Sequence, residues 1–159
     1  MAGFAQSNDI QVPQPRKLLV HTYAKGVQVY ICTQDAKDTT NYIWTLKEPF
    51  ANLYTDTTYN KPIGKHYFTD GKIPTWESAD GSKVRGGKVA QVNSPDGNSI
   101  PWLLLKASAN AGTGVLGQVI YIQRINTNGG KAPDNATKEQ KGQLLNVLYT
   151  AEYLFYGRN

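Results

Sequence analysis

The residue types that can do chemistry concentrate in one short stretch, residues 66–82. It contains an imidazole at His66, an indole at Trp76, and carboxylates at Glu77 and Asp80. One interpretation is a site in which His66, Glu77 and Asp80 face a common pocket, with His66 and Glu77 suited to acid/base work. The other is an ordinary hairpin with a core tryptophan and a solvated glutamate.

A second candidate set consists of polar side chains inside apolar strands. In residues 120–125, alternation places Arg124 on the face of two isoleucines and Gln123 on the opposite face. Lys106 likewise shares a face with a tryptophan and a leucine. A polar-lined pocket beneath tryptophans would suit a small polar ligand or a sugar.

A buried Arg or Lys is costly unless a carboxylate compensates its charge. We therefore expect Arg124 to be at least partly buried and paired with a carboxylate. Glu77 is the first candidate for that carboxylate, followed by Asp80 and Glu152. In the alternative, the strand ends twist outward and the charged groups extend into water. If the site is catalytic, Lys106 or Arg124 would stabilise developing negative charge.

Other kinds of site are poorly supported. Residues 112–117 match G-x-G-x-x-G, but a dinucleotide site needs a helix there, whereas residues 119–122 predict a strand. We interpret these glycines as a hairpin loop and expect no cofactor. His21 and His66 are the two histidines of the chain, and no paired cysteines exist, so no metal site is expected.

Composition narrows the class of protein. Charged residues make up 18% of the 159 residues, below the usual quarter, which together with many Gly and Tyr residues favours a β-rich domain. No apolar run approaches the roughly 18 residues of a membrane-spanning helix. The net charge of +5 is interpreted as a solvated basic face. No nucleic-acid-binding signature accompanies it.

The N-terminus and the single cysteine bear on the compartment. Residues 1–6 look like the end of a signal peptide behind a start methionine, which predicts a secreted protein, extracellular or periplasmic. A cytosolic protein is the alternative. Cys32 follows an apolar run and has no partner cysteine in the chain, so we expect a buried free thiol.

These residues must be positioned by short strands. Residues 1–16 are predicted to form an extended arm, and residues 17–159 a single β domain. Asp80-Gly81 is a strong turn signal, and residues 144–156 alternate strictly enough to predict a strand rather than a helix. Eight or more strands with intervening turns predict an all-β fold, either an antiparallel β-sandwich or a closed β-barrel.

Two positions are predicted to interrupt strands. Lys25-Gly26 is interpreted as a turn between residues 18–23 and residues 27–32. Pro49 is expected to make the residues after it an edge strand or a bend, because proline cannot donate to a sheet ladder.

Several longer segments occur in a fixed order along the chain. They are GVQVYIC, IGKHYFTDGKIPTWESADGSKV, IPWLLLKA, VIYIQRINTNGGKAP and YTAEYLFY, with a strand around Trp44 after the first. Together they resemble the domain-of-unknown-function family numbered 3455, found in bacteria, fungi and plants, over about residues 26–156. The resemblance implies a signal peptide. It places seven residues on the family's polar motif: His66, Trp76, Glu77, Asp80, Lys106, Gln123 and Arg124.

The resemblance supplies no established function. Some fungal members are described as malate dehydrogenases, but the strand predicted after Gly117 argues against that activity here. The chain departs from many members in its longer connection over residues 68–73. The family also implies a second cysteine near Ala136 that would pair with Cys32, and this chain lacks it.

Three functions remain open from the sequence. The first is a secreted, non-catalytic protein that binds a small polar ligand or an extracellular carbohydrate through the seven residues of the polar motif. The second is an acid/base enzyme that uses His66 and Glu77. The third is a structural surface protein, a homo-oligomer that assembles through its edge strands.

Overall fold

The computed structural model describes residues 9–159, which form eight antiparallel strands joined by loops and short 3₁₀ helices. The strands are β1 (Arg16–Gln34), β2 (Tyr42–Tyr54), β3 (Gly64–Thr69), β4 (Ile73–Ser78), β5 (Lys83–Val92), β6 (Trp102–Ala111), β7 (Tyr121–Gly129) and β8 (Leu144–Arg158). Each strand pairs with its neighbour in sequence, and β1 also pairs with β8. The all-β prediction is confirmed, and the architecture is the closed barrel.

The barrel core follows from side-chain alternation. In β8, Tyr149, Ala151, Tyr153 and Phe155 point inward and are almost completely buried. They pack in one cluster with residues of the other strands, including Trp76 of β4. The strand predicted near the end of the chain is therefore confirmed. In a strand, side chains two positions apart lie on the same face, and here that face packs into the core.

One end of the barrel is sealed by the connection between β6 and β7. A 3₁₀ helix, Val115–Gln118, lies there, and Leu116 and Val119 are each only 2% exposed. Both side chains belong to the core cluster. The predicted hairpin loop at residues 112–117 is thus observed, and the chain continues into β7 rather than into an α-helix.

A segment before β1 covers part of the outer barrel surface. Ile10 and Val12 are buried against Leu104, which faces outward from β6. The Gln123 side chain donates a hydrogen bond from Nε2 to the Ile10 carbonyl at 2.6 Å. Part of the predicted arm is therefore packed against the barrel. Residues 1–8, including the proposed signal-peptide remnant, lie outside the described residues.

The two predicted interruptions are wrong. Gly26 lies inside β1, where a Cβ would fall 2.0 Å from the Phe50 carbonyl oxygen. The glycine is there because the strands approach closely, and no turn is made. Pro49 lies inside β2 opposite Gln28, directly beside the register shift at Val29 and Tyr30. A bulge accommodates proline because the ladder is already broken there.

Candidate ligand-binding cavity

A cavity of about 250 Å³ occupies the barrel interior, away from the end that the 3₁₀ helix Val115–Gln118 seals. Side chains from all eight strands line it. Its wall includes Trp76, Leu103, Leu105 and Tyr153, and Lys88 lies at its mouth. The volume is slightly below the range of roughly 300–1,000 Å³ typical of sites for drug-sized ligands. The cavity is therefore suited to a small molecule.

Arg124 is the buried charge of this cavity. It is 9% exposed and points inward from β7, opposite Leu103 of β6. Its Nε and Nη2 donate to the Pro101 carbonyl oxygen at 3.0 and 2.8 Å. The predicted burial is confirmed, but the predicted pairing with Glu77 is wrong. A neutral carbonyl satisfies two N–H groups, and no carboxylate of residues 9–159 forms an ion pair with the guanidinium.

Glu77 lies on the outer surface of the barrel. Trp76 points into the core, so the next residue of β4 must point outward. There Glu77 accepts a hydrogen bond from the Tyr67 hydroxyl at 2.7 Å and lies within 4 Å of Lys65 and Lys83. The Tyr67 hydrogen bond and the two lysines hold the pKa of Glu77 below its usual value. Glu77 therefore contributes nothing to the cavity.

Asp80 organises the turn between β4 and β5 at the sealed end. Its carboxylate accepts hydrogen bonds from the backbone N–H groups of Ser82 and Val115, each at 2.9 Å, and from the Ser82 hydroxyl. These bonds lower the pKa of Asp80 to about 2. The predicted turn at Asp80-Gly81 is confirmed, and Asp80 ties it to the 3₁₀ helix. The predicted common pocket of His66, Glu77 and Asp80 is therefore not formed.

Lys106 and Gln123 also lie outside the cavity. Lys106 is exposed and shares the outer face of β6 with Trp102 and Leu104, as the alternation predicted. That face looks apolar because the segment containing Ile10 covers it. The sequence predicted that Lys106 or Arg124 would point into the interior. Of these two side chains, Arg124 does so.

His66 lies in the cavity wall and is neutral. It is 4% exposed, and its ring stacks on Trp76 with centroids 4.5 Å apart. Its Nδ1 lies 2.9 Å from the Thr75 carbonyl, so Nδ1 carries the proton and Nε2 keeps a lone pair. Burial lowers the pKa of His66 to about 3, and the positive charge of Arg124 acts in the same direction. Such a pKa is poorly matched to proton transfer near neutral pH.

Sequence reasoning missed the part of the cavity wall that β1 provides. Gln28 is 4% exposed and lines the cavity, and its Oε1 is buried without a hydrogen-bond partner among the described residues. Tyr30 lines the cavity too, and its hydroxyl donates to the Gly130 carbonyl at 2.6 Å. The sequence pattern that could have revealed this wall is the alternation that places Gln28, Tyr30 and Cys32 on one face of the strand. The opposite face, with two valines and an isoleucine, is more apolar and resembles a core face.

Cys32 is free and buried, as predicted. Its Sγ lies 3.7 Å from the carbonyl oxygen of Thr137, in the connection between β7 and β8. Thr137 follows Ala136, the position at which the family resemblance implies a second cysteine. That position therefore lies beside Cys32 in the fold.

Within residues 9–159, no three His, Cys, Asp or Glu side chains form a group able to hold a metal ion. The same residues contain no helix with the length and apolarity that a membrane crossing requires.

Comparison with known proteins identifies the family of the chain. A family model described as a protein of unknown function (DUF3455) matches residues 13–157, nearly the whole chain. The chain therefore belongs to that family, as its sequence segments predicted. Neither a curated protein nor a solved structure matches it significantly.

Proposed function

We propose that this member of the DUF3455 family is a non-catalytic binding protein that holds one small polar molecule inside its barrel. The observation that carries the proposal is the cavity of about 250 Å³, whose lining includes two buried polar side chains with an atom that has no hydrogen-bond partner within residues 9–159. These are Gln28, through Oε1, and Trp76, through Nε1. Buried polar atoms are normally hydrogen-bonded, because leaving one unpaired forfeits its hydration. A bound molecule would supply the missing partners.

The barrel architecture is compatible with this role. Eight-stranded barrels have interiors that side chains fill or that hold one small ligand. Here the end at Leu116 and Val119 is filled, and the opposite end contains the cavity. Because the strands of the wall are paired on both sides, the cavity is largely preformed. A preformed site loses little free energy to ordering when it binds.

The other two functions are less well supported. An acid/base enzyme would need His66 and Glu77 to reach one substrate, but they lie on opposite sides of the barrel wall. Assembly through edge strands would need free edges, and closure by the pairing of β1 with β8 removes most of them. Binding inside the barrel requires neither. Secretion, extracellular or periplasmic, remains part of the proposal on the basis of the family resemblance.

A thermal-shift screen with matched variants tests the proposal. The screen uses small organic acids, their primary amides, and simple sugars. Leu103→Trp fills the cavity from its wall, whereas Leu148→Trp adds the same ring on the outer surface, where Leu148 is 76% exposed. A ligand at 100 times its Kd stabilises the folded state by about 2.7 kcal/mol.

The expected result is that some compounds stabilise the wild type and Leu148→Trp but not Leu103→Trp. Backbone amide shifts on ligand addition should then cluster at residues of the cavity wall. The proposal is wrong if no compound stabilises the wild type, or if the stabilisation is the same in Leu103→Trp.

A further inference from the structure

The geometry points to a small molecule bearing a carboxylate as the occupant of this cavity, with the Arg124 guanidinium as its anchor. This inference rests on the proposed function, because it names the chemical class of the ligand that the barrel binds. Arg124 is buried, and its one hydrogen-bond acceptor among the described residues is the neutral Pro101 carbonyl. A guanidinium stays charged at every physiological pH, so burial does not neutralise it.

The charge balance of the cavity is positive. The lining residues include Arg124 and, at the mouth, Lys88, whose Nζ donates to the Gln91 side chain at 3.0 Å. None of the described lining residues is Asp or Glu. Glu77, the first candidate for a partner of Arg124, is paired with two lysines on the outer surface. A buried cation without a counter-ion is costly. An anion that enters the cavity can therefore form the ion pair with Arg124 that no side chain of the described lining provides.

The hydrogen-bonding groups favour a carboxylate over a simple inorganic anion. The Pro101 carbonyl oxygen accepts hydrogen bonds from Nε and Nη2 of Arg124. The other edge of the planar guanidinium can donate to an in-plane acceptor such as a carboxylate. The remaining wall is largely apolar and aromatic, with Trp76, Phe68 and Leu103. An inorganic anion would leave that apolar surface uncovered, whereas an organic acid would bury its carbon skeleton against it.

The part of the cavity wall formed by β1 and β3 requires a hydrogen-bond donor on the ligand. Gln28 Oε1 has no partner among the described residues, and the His66 tautomer leaves Nε2 as an acceptor. A hydroxyl group on the ligand can donate to either atom. The structure therefore assigns the ligand three features, which are a carboxylate, a compact apolar body and a hydroxyl or similar donor.

Matched probe molecules separate these features. The probes are 4-hydroxybenzoate, its neutral isostere 4-hydroxybenzamide, benzoate without the hydroxyl, and inorganic phosphate. Binding to the wild-type protein is measured by calorimetry and by the side-chain Nε–Hε resonance of Arg124. We expect the carboxylate to bind at least about tenfold more tightly than the amide, because hydrogen bonds to charged groups are the stronger ones. We expect phosphate to bind more weakly than 4-hydroxybenzoate.

Variants assign the effect to Arg124. Arg124→Met should reduce the affinity for 4-hydroxybenzoate to that for the amide, and Arg124→Lys should give an intermediate affinity. Arg85→Met removes the same charge from the surface, where Arg85 pairs with Asp70 at 3.0 Å, and should change nothing. Gln28→Leu should reduce the preference for 4-hydroxybenzoate over benzoate, because Nε2 of His66 is then the one remaining acceptor of the two. The Arg124 resonance in the wild type provides a readout if Arg124→Met fails to fold.

The outcomes separate the inference from the function on which it rests. If amides or sugars bind as tightly as carboxylates and Leu103→Trp abolishes their binding, the barrel is a binding protein but the carboxylate assignment is wrong. The assignment is also wrong if Arg85→Met weakens 4-hydroxybenzoate binding as much as Arg124→Met does. If no compound in either test binds to the wild type, the proposed function fails together with the inference.

Discussion

Replacing His66 is expected to flatten the dependence of the free energy of unfolding on pH between pH 5 and pH 8. Burial lowers the pKa of His66 from 6.5 to about 3 in the folded protein. Between these values the unfolded chain binds a proton that the folded chain does not bind. Stability from this group is therefore complete above about pH 6.5 and is lost progressively as the pH falls toward 3.

The magnitude follows from the two pKa values. At pH 5 the unfolded imidazole is protonated, and the folded one remains neutral. Each pKa unit corresponds to 1.36 kcal/mol, and pH 5 lies 1.5 units below the unfolded value, so the protein loses about 2 kcal/mol relative to pH 8. Carrying the titration down to pH 3 would bring the loss to about 4 kcal/mol, because half of the folded imidazoles are protonated there.

The pH window is chosen to isolate this imidazole. The pKa values of Asp80 and Asp96 are lowered to about 2 by hydrogen bonds to their carboxylates, so the stability that these groups contribute is lost at more acidic pH. The other histidine, His21, is replaced by Asn in both proteins so that one imidazole titrates. His66→Asn is the test variant, because its amide can still donate to the Thr75 carbonyl.

Urea unfolding at several pH values measures the effect. The His21→Asn protein should lose about 2 kcal/mol between pH 8 and pH 5, and the His21→Asn/His66→Asn protein should lose much less. Equal losses in the two proteins would refute the reasoning, because they would place the imidazole in contact with water in the folded state.

Three further predictions follow from the packing. Gly26→Ala should destabilise the fold by about 1–3 kcal/mol because its Cβ would meet the Phe50 carbonyl, whereas Gly87→Ala, with nothing within 4 Å, should not, as urea unfolding would show. Cys32 should react slowly with a thiol reagent in native buffer and rapidly in denaturant; rapid native labelling would contradict its burial. In a double-mutant cycle of thermal melts, Glu77→Gln and Arg124→Met should be additive within about 0.5 kcal/mol. A larger coupling energy would place the two side chains in contact.

The sequence alone determined the local features of the fold. Strand alternation in residues 144–156, the Asp80-Gly81 turn and the strand after residues 112–117 were all predicted, and the structure contains them. These features depend on backbone preferences and on side-chain period, which neighbouring residues set by themselves. The burial of Arg124 and Cys32 was predicted for the same reason, since each lies in an apolar strand.

Which face of each strand points inward was decided by the tertiary structure. Leu104 and Trp102 look like core residues in the sequence, but they face outward and pack under the segment that contains Ile10 and Val12. In β1 the less apolar face, with Gln28, lines the cavity. A strand pattern distinguishes two faces without saying which one meets the interior, because a covering segment can bury either face.

The partner of Arg124 was also beyond the reach of the sequence. Pairing of Leu103 with Arg124 brings Pro101 within hydrogen-bond distance of the guanidinium, and Glu77 is directed outward because Trp76 fills the core. Closure into a barrel likewise depends on β1 pairing with β8, which lie at opposite ends of the chain. Contacts between residues so far apart in sequence are set by the register of the whole sheet, and no short stretch of residues encodes that register by itself.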